Sequence, residues 1–280
     1  MKKYAWILGI AIILILCIKI FYAHNTIDLE GKILLNMNND GNKEIIVYDC
    51  RTKEFQNTGI NEFQAVLSKN NTLLINEYNA ISEYDLNTKE KTTVYQGETF
   101  DYFAVCNDKL LSLSNDNCIF LYNIETREKK IIVQDNGSTV YSWSDNGEDL
   151  YYSDKNNKIK SVDILSGETK ENGMGREPVI CGYDMAYRNG DKLIVKNLQT
   201  NTEYEYNGKA YSYCFSPTGR EVLIEDELSI WTAIKNIFRN GIVLGHSVVV
   251  WDYENNKQNT IIEACTSVPN LICGWEHSER

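Results

Sequence analysis

Short apolar runs such as "KILLNM", "EIIVYDC", "NTLLIN", "NCIFLYN", "KLIVKN" and "SVVVWDY" alternate with short polar runs along most of the chain. Runs of this length, rich in Ile, Val and Tyr and bounded by Asn, Asp, Gly and Ser, predict β-strands joined by tight turns rather than helices. The polar segments repeat one another. "YDCRTKE" at Tyr48 returns as "YDLNTKE" at Tyr84, "YNIETRE" at Tyr122, "VDILSGE" at Val162, "KNLQTNT" at Lys196 and "WDYENNK" at Trp251. The second position is Asp or Asn in all six, and the fifth is Thr or Ser in five, the exception being Asn255. Side chains of these types bond backbone amides a few residues on, so each copy predicts a hairpin corner.

A second mark falls between the corners: "WSDNGE" from Trp143, "FSPTGR" from Phe215 and "WEHSER" from Trp275, with looser versions at Leu67, Cys106 and Tyr183. An aromatic followed by turn residues reads as a strand entering a second hairpin. Successive corners lie 34 to 40 residues apart, with a last interval of 55. That period holds about four short strands, the length of one propeller blade. The first unit, "KILLNMNNDGNKEIIVYDC", lacks an aromatic mark before it, whereas the chain ends on the lone strand "LICGWEHSER". Because "ICGWE" at Ile272 copies "ICGYD" at Ile180, the C-terminus is expected to supply the inner strand of the first blade.

These marks, over Gly31 to Arg280, resemble the repeats of TolB-like, or WD40-like (PD40-type), β-propellers. The expected fold class is therefore all-β, a six-bladed β-propeller over residues 32–280. The resemblance implies protein–protein work at a cell envelope.

The N-terminus adds a location. "MKKYAWILGIAIILILCIKIFYA" places Lys2 and Lys3 before an apolar stretch interrupted by Lys19, about the 20 residues that span a bilayer as a helix. "FYA" offers only its Ala to a signal peptidase, and Leu16 stands where a lipoprotein would have a small residue. The reading is an uncleaved single-pass anchor, 1–23, with the domain outside the cell membrane and 24–31 as linker. Entry through the second strand of blade one turns the first-to-second strand turns towards the membrane and the opposite face outwards.

That outward face is expected to carry the one large irregularity. About 18 extra residues, within 227–246, interrupt the sixth unit. Ser229 suits a helix N-cap, Ile230, Ile234, Ile237 and Phe238 share one helical face, and Asn240–Gly241 ends the run. A short helix is expected there, with Trp231, Lys235, Phe238 and Arg239 as candidate partner-binding residues because aromatics and Arg dominate interface hot spots.

Chemistry is sparse. A net charge of −11 with no Lys/Arg cluster beyond the N-terminus excludes a nucleic-acid footprint. His24, His246 and His277 stand in unrelated contexts, and no GxSxG occurs. The eight cysteines lack CxxC spacing, so neither zinc nor any other metal or cofactor is expected, and they read as small apolar residues. "NMNNDG" at Asn36 begins like a calcium loop, but Val47 replaces the required Glu, leaving a hairpin turn. Asp145, Asp184 and Glu276 follow the inner strands as turn caps or rim acids. Ala65, Cys106, Ser142, Cys181, Cys214 and Cys273 are the expected channel-lining residues, small and neutral. No catalytic residue is assigned. The function expected is a membrane-anchored extracytoplasmic module binding an envelope protein or glycan. The alternative is a propeller enzyme acting on an envelope glycan or small molecule in its channel.

Overall fold

The computed structural model describes residues 27, 29–39, 42–62, 64–68, 72–107, 110–115, 118–134, 137, 140–227, 245–266 and 272–275. The expected anchor at 1–23 and the core of the blade-six insert, 228–244, lie outside them. Among the described residues no helix is long and apolar enough to cross a membrane.

Six antiparallel four-stranded sheets make up the fold. Blade one takes β1 (Lys32–Asn39), β2 (Asn42–Asp49) and β3 (Glu54–Asn57). Blade two follows with β4 (Ala65–Ser68), β5 (Thr72–Asn76), β6 (Ala80–Asp85) and β7 (Lys91–Gln96). Blade three has β8 (Tyr102–Asn107), β9 (Leu110–Asn115), β10 (Cys118–Asn123) and β11 (Lys129–Val133). Blade four has β12 (Ser142–Trp143), β13 (Asp149–Ser153), β14 (Lys158–Asp163) and β15 (Thr169–Met174). Blade five has β16 (Arg176–Cys181), β17 (Asp184–Asn189), β18 (Lys192–Asn197) and β19 (Glu203–Glu205). Blade six has β20 (Ser212–Phe215), β21 (Glu221–Glu227), β22 (Gly245–Asp252) and β23 (Lys257–Thr266). The last strand, β24 (Ile272–Trp275), returns to blade one and pairs with β1, Ile33 opposite Trp275 and Leu35 opposite Ile272. The ring is thus closed by the C-terminus on the inner side, as the copied strand predicts. The supposed calcium loop is the β1–β2 hairpin, with Asn39 opposite Asn42.

All six corners have the expected chemistry. Asp49 accepts from the amides of Arg51 and Thr52, both at 2.9 Å, and Asp85 from those of Asn87 and Thr88 at 2.7 and 3.0 Å. Asn123, Asp163 and Asn197 make the same two bonds, and Asp252 accepts from Asn255. The residue four places after the acid turns left-handed in every copy: Lys53, Lys89, Arg127, Gly167, Asn201 and Asn256. The residue just after the acid is apolar and tucks between blades, as with Cys50, Leu86 and Tyr253, each at most 5% exposed.

Blades pack through mixed clusters. Trp251, 1% exposed, joins Ala186, Val195 and Tyr206 between blades five and six, while Phe103, Leu111 and Phe120 meet Leu74 and Ile81 between blades two and three. The first-to-second strand turns fit under the preceding blade. A Cβ on Gly147 would stand 2.9 Å from the Cys106 sulfur, and one on Gly219 2.9 Å from that of Cys181. Cys50, Cys106, Cys118, Cys181 and Cys214 are free thiols, and burial, with the charges of Asp145 and Asp184, pushes Cys181 up to about 11.

Three outcomes follow from this packing. Deleting residues 272–280 removes the only inner strand of blade one, so the cooperative unfolding transition followed by circular dichroism should disappear; a near-native transition would show that three strands suffice. Gly219→Ala should cost about 1–2 kcal/mol, from the left-handed backbone at φ 73° and the sulfur contact. Adding Cys181→Ala should recover the contact part in urea titrations, and strictly additive costs would refute the fit. Asp154 is buried, which opposes its charge, but Lys160 Nζ at 2.7 Å and the amides of Asn156 and Lys158 outweigh this and lower its pKa. A carboxyl lowered in the folded state contributes stability that is full above its unfolded value of 3.8 and lost on further acidification. Asp154→Asn should cost about 2 kcal/mol at pH 7 and flatten the stability curve below pH 4.

Candidate functional site

Inner strands β4, β8, β12, β16 and β20 surround a cavity of about 580 Å³ on the ring axis. Its lining runs from where those strands begin, at Gln64, Asp101, Val140, Glu177 and Tyr211, inward to Val105, Trp143, Val179 and Cys214, and stops short of the downstream residues Ser68, Cys106, Cys181 and Phe215. The mouth therefore opens on the face of the blade-to-blade links and the second-to-third strand loops. β21 ends and β22 begins on this same face.

Aromatic rings dominate the wall. Tyr102 and Tyr141 meet edge to face at 5.1 Å, Phe103 and Trp143 lie deeper, and Tyr211 and Tyr213 enter from blade six. Hydrogen bonds hold these rings still. Trp143 Nε1 donates to Ser112 Oγ at 2.9 Å, and the Tyr141 hydroxyl donates to the carbonyl of Tyr102 at 3.4 Å. Burial keeps the Tyr141 phenol well above 10. Tyr213 is also raised, first by burial and then by the charge of Glu177.

Glu177 forms an ion pair with Arg188 at the cavity wall. Its backbone is left-handed at φ 57°, beside an irregularity in the β16–β17 register. Neighbouring blades fix it from both sides: its amide donates to Ser153 Oγ at 3.0 Å, and its carbonyl accepts from the Tyr213 hydroxyl at 2.6 Å. Glu177 is thus a strained residue held by three blades where the channel opens, the kind of outlier that points to function.

A second polar cluster adjoins the wall in blade six. Ser212 Oγ donates to Glu225 Oε2, and His246 Nδ1 meets Glu225 Oε1, both at 2.5 Å. The His246 ring lies flat on Tyr211, 4.3 Å away, while the Tyr211 hydroxyl and Lys209 Nζ both bond Glu227 at 2.7 Å. Glu225 is wholly buried, and Ser212 and His246 help to compensate its desolvation. Among the described residues no three His, Cys, Asp or Glu side chains form a metal-binding group.

Trp231, Lys235, Phe238 and Arg239 lie outside the described residues. Of the six expected channel residues, Ser142 and Cys214 line the cavity. Ala65 is instead buried between blades one and two, and Cys106 and Cys181 sit at the downstream ends of their strands against the glycine turns. The side chain of Cys273 is outside the described set. Asp145 and Asp184 cap rather than line: Asp145 accepts from the Gly182 amide at 2.9 Å, and Asp184 from Asn197 Nδ2 and the Tyr253 hydroxyl. The aromatic wall was readable as a triplet, aromatic-small-aromatic, in "YSW" at Tyr141 and "YSY" at Tyr211. Glu177 and Arg188 carried no such signal.

No family model matches the sequence, and no curated protein matches it. Solved structures do. TolB from Acinetobacter baumannii superposes with a TM-score of 0.53 at 14% identity, covering 85% of this chain and 70% of that one. A candidate TolB from Agrobacterium tumefaciens gives 0.57 at 16%, covering 86% and 91%. A Bacteroides thetaiotaomicron protein of unknown function gives 0.50 at 11%, covering 86% and 76%. At such identities the likeness speaks to architecture, and the architecture of this chain is a TolB-like six-bladed β-propeller.

Proposed function

We propose that this protein is a membrane-anchored, extracytoplasmic binding module that holds an envelope protein at the mouth of its channel. The observation carrying this reading is the cavity of about 580 Å³ walled by fixed Tyr and Trp rings with one Glu–Arg pair. Tyr, Trp and Arg are the side chains that anchor protein interfaces, and rings already bonded in place lose little freedom on binding. The apolar segment Tyr4–Ala23 supplies the anchor, and Lys2 and Lys3 keep the short end inside. The 228–244 segment, read as a short helix bearing Trp231, Lys235, Phe238 and Arg239, adds a second contact beside the mouth. The alternative of a channel enzyme draws on Glu225, which orients the imidazole of His246 next to cavity residue Ser212.

Val140 at the rim and Trp231 in the insert test the binding reading together. A photoreactive residue at either position, displayed on cells, should capture the same protein, and Val140→Arg should weaken that complex at least tenfold with an unchanged melting temperature. Capture that is indifferent to Val140→Arg would remove the channel mouth from the interface.

A further inference from the structure

The six corners are close copies, so a departure at one of them stands out. At the tip, two places after the corner acid, five copies carry polar residues: Arg51, Asn87, Glu125, Gln199 and Glu254. The sixth is Leu165, 89% exposed. The neighbouring blade departs in the same direction. The described first-to-second strand turns of blades four and six are polar, "SDNGE" and "SPTGR", whereas blade five presents Tyr183 at the tip of its turn, 60% exposed. Both residues lie on one face, opposite the cavity mouth, joined by the blade-four turn: Glu148 accepts from the Ile164 amide and Asp145 from that of Gly182, each at 2.9 Å.

The chain itself brings this face to a bilayer. Ile27 and Leu29 already pack against the core of blades one and six, beside Ile33, Cys50 and Leu223. Only residues 24–26 separate Ile27 from the apolar segment ending at Ala23, a span of about 14 Å at most. That tether holds blade one, and blade four lies across the ring from it. Leu165 and Tyr183 are then the second point of support. Leu suits the acyl boundary and Tyr the headgroup level.

The geometry points to a lipid-contact surface: Leu165 and Tyr183 dip into the membrane that holds the N-terminal segment, setting the channel axis upright with its mouth away from the bilayer. The inference rests on the anchored reading above. Glu168 and Asp184 lie within three residues of the two in sequence, and Asp145 and Glu148 sit in the turn bonded to Gly182 and Ile164, so attraction to anionic lipid does not hold the contact, which is expected to persist at high salt.

The test uses the full chain in its native membrane, with a photoreactive amino acid placed in turn at Ile12, Leu165, Tyr183 and, on the opposite face, Tyr78, and adducts identified by mass spectrometry. Lipid adducts at 12, 165 and 183 but not at 78, unchanged in 1 M salt, are expected. Lipid at 12 with none at 165 and 183 overturns the lipid contact and leaves the anchor standing. No lipid at 12 overturns the anchor and this inference with it. Protein adducts at 165 and 183, or lipid at 78 as well, also overturn it.

Discussion

Ring closure is the constraint from which the rest follows. Each blade is a sheet that buries both faces against its neighbours, so no blade is stable until the circle is complete. The joint is narrow: β24 meets β1 over three register pairs, with a shift between Leu34 and Leu35. The residues that close the ring are among its best buried, since Ile33, Leu34 and Leu35 show no exposure. Chain ends about 240 residues apart must meet before those side chains leave water, which makes the closing contact both the most distant in sequence and the most cooperative.

Between blades the packing is repetitive because the repeats are. The apolar residue after each corner acid fills the gap between sheets, and the glycine of a turn admits a cysteine from the blade before it. Five of six corners place a residue other than Gly in the left-handed region, a cost of about 1 kcal/mol each. The two amide bonds to the Asp or Asn side chain and the i+4 amide bond to its carbonyl, as from Lys89 to Asp85 at 2.9 Å, hold the conformation against that cost.

This locality explains what could be read from the sequence. A corner such as Asp85–Lys89 is written in five consecutive residues, so six corners announced six blades, and the duplicate "ICG" announced the closing strand. The cavity is written nowhere in one piece. Glu177 depends on Ser153, Arg188 and Tyr213, 24, 11 and 36 residues away, and no local pattern encodes such a meeting. The small residues of the inner strands misdirect for a related reason. Those strands run the depth of the ring while the cavity stops short of their downstream ends, so Ser142 and Cys214 reach it, but Cys106 and Cys181 fall beyond it, under the glycine turns.

Glu177 then joins the fold to its use. Three residues of one short stretch have positive φ: Gly173, Gly175 and Glu177. Glycine serves the first two without strain, and at Gly175 a Cβ would stand 2.4 Å from the Tyr187 ring. A glycine would relax position 177 as well, keeping the amide bond to Ser153 and the carbonyl bond from Tyr213, because both are backbone bonds. What it would lose is the carboxylate facing Arg188 at the cavity wall. The strain is therefore carried for a side chain, not for the backbone path. That side chain adds little to closure of the ring, since its ion pair is partly exposed to water and such pairs contribute about 1 kcal/mol or less. In the binding mode proposed above, a partner seated at the mouth, among rings already fixed in place, would exclude that water and make the same charges count.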